Sequence, residues 1–491
     1  MCAPQMTRVA AAFALWTAAI GTVSDGLRRN ADPTGTDSIG EPRNDRTCTP
    51  RSNPSPGPSP GPSPSPGNRR MSASPTLATY AIWAICLVAT IGVITRPFKL
   101  PEAVWAVTGA ALLLLFGLMP VSDAWAAVLK GGDVYLFLIG MMLLAEVARA
   151  EGLFDWVAEH AVRLANGSTS HLFALVFGVG IVVTTFLSND ATAVVLTPAV
   201  YAAAKKAKAD PLPMLFACAL IANAASFVLP ISNPANLVLY GGAMPSLGAW
   251  MASFALPSLL SIGVTFLVLR WVARERLAGT CETLVETSTL SPGGKIALGG
   301  IVATAVVLIV ASAEGLDLGL PTCIAGIATM VAICIGRRRS PVETLRSVSW
   351  AVLLLVAGLF VLVEALASTG VIAMLARWLA DGAAGSPTTT AGVAGTILAF
   401  GSNLMNNLPA GLIASTTLQQ AHVPQIVTDG LLIGVDLGPN LSITGSLATI
   451  LWLTAIRREG EDVGFWRFLK IGAVVMPPAL FAALGARLLI G

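Results

Sequence analysis

The chain has 491 residues, 55% hydrophobic and 12% charged, with a mean hydropathy of +0.74 and a net charge of +3. Soluble domains carry about 25% charged residues, so this composition excludes a soluble globular protein and a nucleic-acid binder and specifies a polytopic membrane protein. Seven scattered cysteines without a CxxC exclude a zinc ribbon or thioredoxin-type motif and give no disulfide framework, 7% aromatic residues and only three histidines give poor support to a haem or redox-metal enzyme, and no cofactor is expected.

Residues 1–75 read as an extension. A short apolar run at 9–20 precedes the low-complexity tract PSPGPSPGPSPSPG at 54–67, and that density of proline and serine gives an unpacked linker. The run is either a signal-type segment or part of an untranslated stretch ahead of Met71. From Thr76 onward, apolar segments near the ~20 residues that a 30 Å hydrocarbon core requires predict spanning helices. They fall at 78–95, 102–119, 132–150, 213–250, 254–273, 294–312, 318–336, 349–368, 428–457 and 467–490. Two of these, 213–250 and 428–457, are interrupted by Pro234 and Pro439, since proline supplies no N–H and obstructs the preceding helical turn. Segments 171–205 and 388–420 have apolar arms around a polar knot and predict two re-entrant hairpins.

An internal repeat supports this division. AEVARAEGLFDW, from Ala145, resembles VEALASTGVIAM, from Val363. It aligns Glu146 with Glu364 and Gly152 with Gly370, each pair 218 positions apart (364 − 146 and 370 − 152). The tips align Asn189 with Asn406, and the breaks SNPANLVLYGG and LGPNLSITGS align Asn236 with Asn440. The expected fold is therefore an all-α polytopic membrane protein, an inverted repeat of two five-helix halves, 76–290 and 291–491. Each half has a re-entrant hairpin and an unwound transmembrane helix, as in secondary transporters. With this parse Lys and Arg collect on one side (Arg163, Lys205, Lys206, Arg270, Arg274, Arg337 and others), leaving little beyond Lys130 and Arg377 on the opposite side. The positive-inside rule makes the first side cytoplasmic, so hairpin 171–205 opens inward and hairpin 388–420 outward.

Polar side chains at membrane depth survive only where protein or a water-filled cavity surrounds them. The two tips and two breaks therefore supply the expected substrate site: Ser188, Asn189, Asn233, Asn236, Asn406, Asn407, Asn440 and Thr444. Amides both donate and accept, which suits a small hydroxylated or oxyanionic solute. A carboxylate at mid-membrane costs roughly 2.5–3.5 kcal/mol and usually lies on an ion path, so Asp190 and Asp436 are the expected ion-coupling residues. Glu146 and Glu364, nearer helix ends, are expected to be structural, and Thr184 and Thr197 to bond their own helix backbones.

FLSNDATAVVLTPAV, SNLMNNLPAGLI and above all GVDLGPNLSITGSLATILWL resemble the arsenical pump membrane proteins (ArsB) of the ion-transporter superfamily, from Thr76 to the C-terminus. The resemblance departs at Val435, where that family has Cys. It implies an inner-membrane exporter of arsenite and antimonite driven by proton exchange, with a dimer common in the superfamily and a soluble ATPase subunit in some members. A sodium/proton antiporter is the alternative on the same fold, followed by a carrier of dicarboxylates or other anions.

Overall fold

The computed structural model describes residues 76–241, 244–282, 289–338 and 340–491; the expected extension, 1–75, lies outside the described residues. These are helical throughout, apart from loops and one isolated antiparallel bridge between Ser168 and Thr280. Among them seven helices are long and apolar enough to cross a membrane, and an eighth span forms if Val121–Lys130 and Gly132–Ala150, bent by 49° at Gly131, count as one. The chain is an all-α polytopic membrane protein.

The order of elements in the first half recurs in the second. Leu77–Thr95, Glu102–Leu115, Val121–Lys130 and Gly132–Ala150 have as counterparts Pro292–Ala313, Gly319–Arg337, Pro341–Ser347 and Ala351–Ser368. The packing exchanges partners accordingly: Gly132–Ala150 lies on Gly319–Arg337, and Ala351–Ser368 lies on Glu102–Leu115. The first crossing is close because a Cβ at Gly140 would run into the Thr322 carbonyl, and one at Gly326 into the Gly140 backbone. Small residues let helix backbones approach where lipid gives no hydrophobic drive between helices.

A short amphipathic helix follows in each half, Leu153–Leu164 and Val371–Gly385, and at 12 and 15 residues neither is long enough to span. Sequence reading missed both as separate elements. Each starts after a glycine with positive φ, Gly152 at 74° and Gly370 at 86°, where a side chain would be strained. Next come the hairpins: Thr169–Leu187 returning through Asn189–Ala191, a π-turn at Thr192–Leu196 and Thr197–Lys206, and Pro387–Met405 returning through Asn407–Ala421. The broken helices are Pro211–Ala224 with Pro234–Tyr240, and Gln425–Leu437 with Leu447–Arg458. The first ends earlier than the expected 250. Gly241, in the left-handed region, closes it, and Ser246 caps a new helix, Leu247–Val272. That helix packs along the last one, Phe465–Ile490.

The two hairpins are attached differently. Ala391, Gly395 and Ala399 on the second hairpin face Gly430, Gly434 and Gly438 on the second broken helix, each glycine so close that a Cβ would meet the opposing backbone. On the first hairpin the corresponding approach is Gly180 against the Ile221 side chain. The first hairpin instead carries the π-turn. Pro198 lacks the N–H that would continue the ladder, and the widened turn accommodates it, with Thr197 Oγ1 donating to the Thr192 carbonyl at 3.1 Å. Single π-turns inside helices occur frequently at functional sites.

Candidate functional site

Each hairpin turns on one residue with positive φ that also caps the returning arm. In the first hairpin it is Ser188, φ 115°, whose Oγ accepts from Ala191 N at 3.5 Å. In the second it is Asn406, φ 75°, whose Oδ1 accepts from Leu408 N at 3.3 Å. The geometric equivalents are thus Ser188 with Asn406 and Asn189 with Asn407, not Asn189 with Asn406. The corrected offset, 218 (406 − 188), is the one that already related Glu146 to Glu364. It places Leu408 opposite Asp190, so the carboxylate has no counterpart in the second tip.

The first tip packs against Leu447–Arg458, and the arm returning from the second against Pro234–Tyr240. Ser232 Oγ donates to the Thr185 carbonyl at 3.1 Å, while Thr444 Oγ1 donates to the Asn403 carbonyl at 2.9 Å. The Asn407 N–H reaches the Gly445 carbonyl at 2.8 Å. Thr184 does not bond its own helix as expected; its hydroxyl meets that of Thr192 across the first hairpin at 2.8 Å.

The two breaks interlock. Asn233 caps Pro234–Tyr240 with its Oδ1, accepting from Ala235 N at 3.0 Å, and its Nδ2 donates to Asp436 Oδ1 at 2.8 Å. Reciprocally, Ser446 caps Leu447–Arg458, and its Oγ donates to Asn223 Oδ1 at 3.2 Å. At the breaks the offset is five residues shorter: 213 separates both Asn233 from Ser446 (446 − 233) and Asn223 from Asp436 (436 − 223), so these are the equivalent pairs. Asn236 then matches Thr449 rather than Asn440: its Nδ2 donates to the carbonyls of Ser226 and Pro230 at 2.9 and 3.2 Å, and Thr449 Oγ1 donates to the carbonyls of Ile443 and Ser446, both at 2.8 Å. Asn440 accepts from Asn223 Nδ2 at 3.0 Å and donates to the Leu220 carbonyl at 2.9 Å.

The two carboxylates differ. Asp436 is fully buried and both its oxygens are engaged. Ser226 Oγ lies 2.7 Å from the Asn223 carbonyl and 2.8 Å from Asp436 Oδ2. One hydroxyl proton serves two acceptors only as a divided three-centre bond, so every group has a full hydrogen bond when Asp436 carries a proton and donates to Ser226. Asp190 is half-buried, and no described side chain or backbone group pairs with its carboxylate. It faces a cavity of about 110 Å³ together with Ser188, Glu146 and Pro234, reaching exposed Ser347 and Ser349. A second cavity, of about 360 Å³, is lined by Lys130, Asp133, Asp317, Glu364, Ser415 and other residues. There Lys130 and Glu364 form an ion pair at 2.7 Å.

Three buried amide oxygens at the tips and first break have no hydrogen-bond partner: Asn189, Asn236 and Asn407 Oδ1. For Asn236 the amide orientation is fixed, because its nitrogen already serves backbone carbonyls. Among the described residues no cluster of three or more His, Cys, Asp or Glu could hold a metal.

Sequence reading did not single out Asn223 or Asn403, although each interrupts an apolar run. It also missed a buried charged network. Arg487 and Asp429 pair at 2.7 Å, Tyr240 Oη donates to Asp429 at 3.0 Å, and Gln425 Nε2 donates to the same oxygen at 2.7 Å. In the corresponding place of the first broken helix, Phe216 packs on Trp452 and Phe468.

Comparison with known proteins bears on this architecture. The chain is 29% identical over 399 residues to an arsenical pump membrane protein of Yersinia enterocolitica, covering 77% of this chain and 91% of that protein. It is 26% identical over 432 residues to the arsenical pump membrane protein of Escherichia coli K12, covering 82% and 97%. An uncharacterized transporter of Mycobacterium tuberculosis is 27% identical, covering 76% and 90%. Among solved structures the fold is similar to the Alcanivorax borkumensis YdaH transporter, with a TM-score of 0.50 and 16% identity, covering 84% of this chain and 98% of that one. The citrate transporter (CitMHS) family model matches residues 85–434, most of the described chain, and the protein belongs to that family: it is a membrane transporter, not an enzyme.

Proposed function

We propose that the protein exports arsenite, and with it antimonite, from the cytoplasm across the inner membrane in exchange for protons. The second half of the repeat is inverted relative to the first, and the hairpins and broken helices move as a unit against the remaining helices to give alternating access. Asp190 is the coupling carboxylate, loading and unloading a proton in opposition to substrate. Asp436, held on both oxygens, buttresses the unwound helices.

The observation that carries this reading is the unpartnered amide oxygen of Asn236, fixed as an acceptor because its nitrogen already serves backbone carbonyls, with Asn189 and Asn407 Oδ1 likewise unpartnered. Arsenite at neutral pH is an uncharged trihydroxide and brings O–H donors to such acceptors. A citrate or dicarboxylate ion brings only further acceptors, and buried acceptors left facing one another cost free energy. The charge pattern agrees: neither polar cavity offers an unpaired cation for a polyanion, since Lys130 is bound to Glu364. The relatives named as arsenical pumps support the same substrate.

The test is radiolabelled arsenite uptake into everted vesicles energised by respiration, with citrate and sodium as alternatives. Uptake that collapses with a protonophore supports the proposal. Absence of arsenite uptake, with sodium dissipating the pH gradient, moves the function to cation antiport. Citrate uptake would overturn the argument from unpaired acceptors.

A further inference from the structure

The cavity that Asp190 faces has a second carboxylate in its wall, Glu146 on Gly132–Ala150. Glu146 is half-buried and pairs with Arg149 one turn further along, Arg149 Nε reaching Oε2 at 2.9 Å and the terminal guanidinium nitrogen reaching Oε1 at 2.5 Å. The cavity, about 110 Å³, has room for several waters. Its lining brings together the partnerless carboxylate of Asp190, Glu146, and exposed Ser347 and Ser349, the last two on the segment following Arg337 and Arg338, the side that loop charge makes cytoplasmic.

The second half is arranged differently, with no residue of the hairpin tip in the wall of its cavity. Glu364, equivalent to Glu146, lines the other cavity and pairs with Lys130, while Leu408 stands where the first tip has Asp190.

We infer that Glu146 is the proton-relay residue between Asp190 and the cytoplasm. The inference rests on proton-coupled export through Asp190. When substrate arrives from inside, the proton leaves the Asp190 carboxyl, crosses the cavity water and binds a Glu146 oxygen. The Arg149 pair loosens as that charge is neutralised, and the proton then passes to bulk water at Ser347 and Ser349. One proton moves, and no other bond changes. The charged groups around the relay are few. Arg149 is on its own helix and Asp190 on the hairpin; Asp155, on the amphipathic helix, is near enough to Arg149 to act on it electrostatically. Glu343 and Arg346, on Pro341–Ser347, are exposed. Arg337 is turned toward Glu151 at 3.5 Å, Lys295 lies on Pro292–Ala313, and Pro234–Tyr240 carries no charge.

The test uses the full chain in proteoliposomes and compares wild type, Glu146→Gln, Glu146→Asp, Arg149→Gln and Glu364→Gln. Two rates are read: arsenite transport driven by a pH gradient, as a function of pH on the cytoplasmic face, and arsenite–arsenite exchange, which needs no net proton release. Glu146→Gln is expected to lower the driven rate at least several-fold and flatten its pH profile while exchange persists. Glu146→Asp restores a pH-dependent rate. Arg149→Gln, which breaks the same ion pair but keeps the carboxylate, remains coupled, and Glu364→Gln matches wild type. A wild-type pH profile in Glu146→Gln overturns the relay, as does equal loss of exchange and driven transport in both Glu146→Gln and Arg149→Gln, which marks a structural pair. Wild type that moves arsenite without protons overturns the coupling itself and the relay with it.

Discussion

Asp190 and Asp436 are both aspartates at interruptions of apolar helices, and a sequence gives little reason to treat them differently. Their surroundings separate them. Asp436 sits where the two broken helices cross, with Asn233 on one oxygen and Ser226 on the other. Asp190 sits at the tip of the less tightly attached hairpin, next to a π-turn, with its carboxylate facing a cavity and no partner. A buried polar group whose hydrogen bonds are complete resists change, because any new state must break them. An incompletely paired one has capacity left for a ligand or a proton. The difference therefore lies in how many partners each carboxylate already has, and position in the membrane does not decide it.

The largest effect expected from breaking this contrast is at Asp190. Asp190→Asn removes the titrating group without removing any hydrogen bond seen in the structure, so proton-driven arsenite accumulation should fall to background. The thermal midpoint of the purified protein should stay at the wild-type value. A variant that loses both would place Asp190 with the structural groups.

Next in size is Asp436→Leu. It deprives the buried Asn233 amide of its acceptor, at a cost of roughly 1–3 kcal/mol for that group alone, and it leaves the Ser226 side chain against a methyl group. A lowered melting temperature in detergent, with transport lost in proportion to folded protein, is the expected outcome. Asn440→Ala should behave in the same way, because Asn223 Nδ2 loses its acceptor and the Leu220 carbonyl loses a second donor. If either variant melts like wild type, the interlocked breaks do not hold the unwound helices.

The tip amides should give a smaller, purely functional effect. Asn407→Ala removes a buried acceptor that has no protein partner, so stability should change little. The KM for arsenite should rise about two- to tenfold, equivalent to the roughly 0.5–1.5 kcal/mol of one hydrogen bond. An unchanged KM would remove Asn407 from the site.

How far the sequence anticipated these distinctions follows from what each kind of signal encodes. Apolar runs of spanning length and the prolines at 234 and 439 sufficed for the helical architecture, the two hairpins and the two unwound helices, because hydrophobic length and a missing N–H act locally. The pairing of the breaks was misjudged. Asn236 and Asn440 look alike in a string, yet the equivalents in space are Asn236 with Thr449, a hydroxyl doing the work of an amide, and Asn223 with Asp436. Side-chain partners across more than 200 residues leave no local trace. The Arg487–Asp429 pair, only 58 residues apart, was missed on different grounds: a lone Asp and a lone Arg near helix ends read as interfacial until folding brings them together.

The smallest expected effect is the sharpest test of the contrast. Asp436→Asn keeps the shape of the side chain and replaces the acid's O–H by an amide N–H. Its Oδ1 can still accept from Asn233, and its Nδ2 can donate to Ser226, which goes on donating to the Asn223 carbonyl. If Asp436 holds its proton throughout the cycle, this substitution removes nothing that the folded protein uses. Melting temperature and proton-driven arsenite transport should both stay close to wild type, in opposition to Asp190→Asn. If instead Asp436→Asn folds normally but abolishes driven transport, Asp436 gives up its proton during the cycle. Coupling would then be shared between the tip of the first hairpin and the crossing of the broken helices.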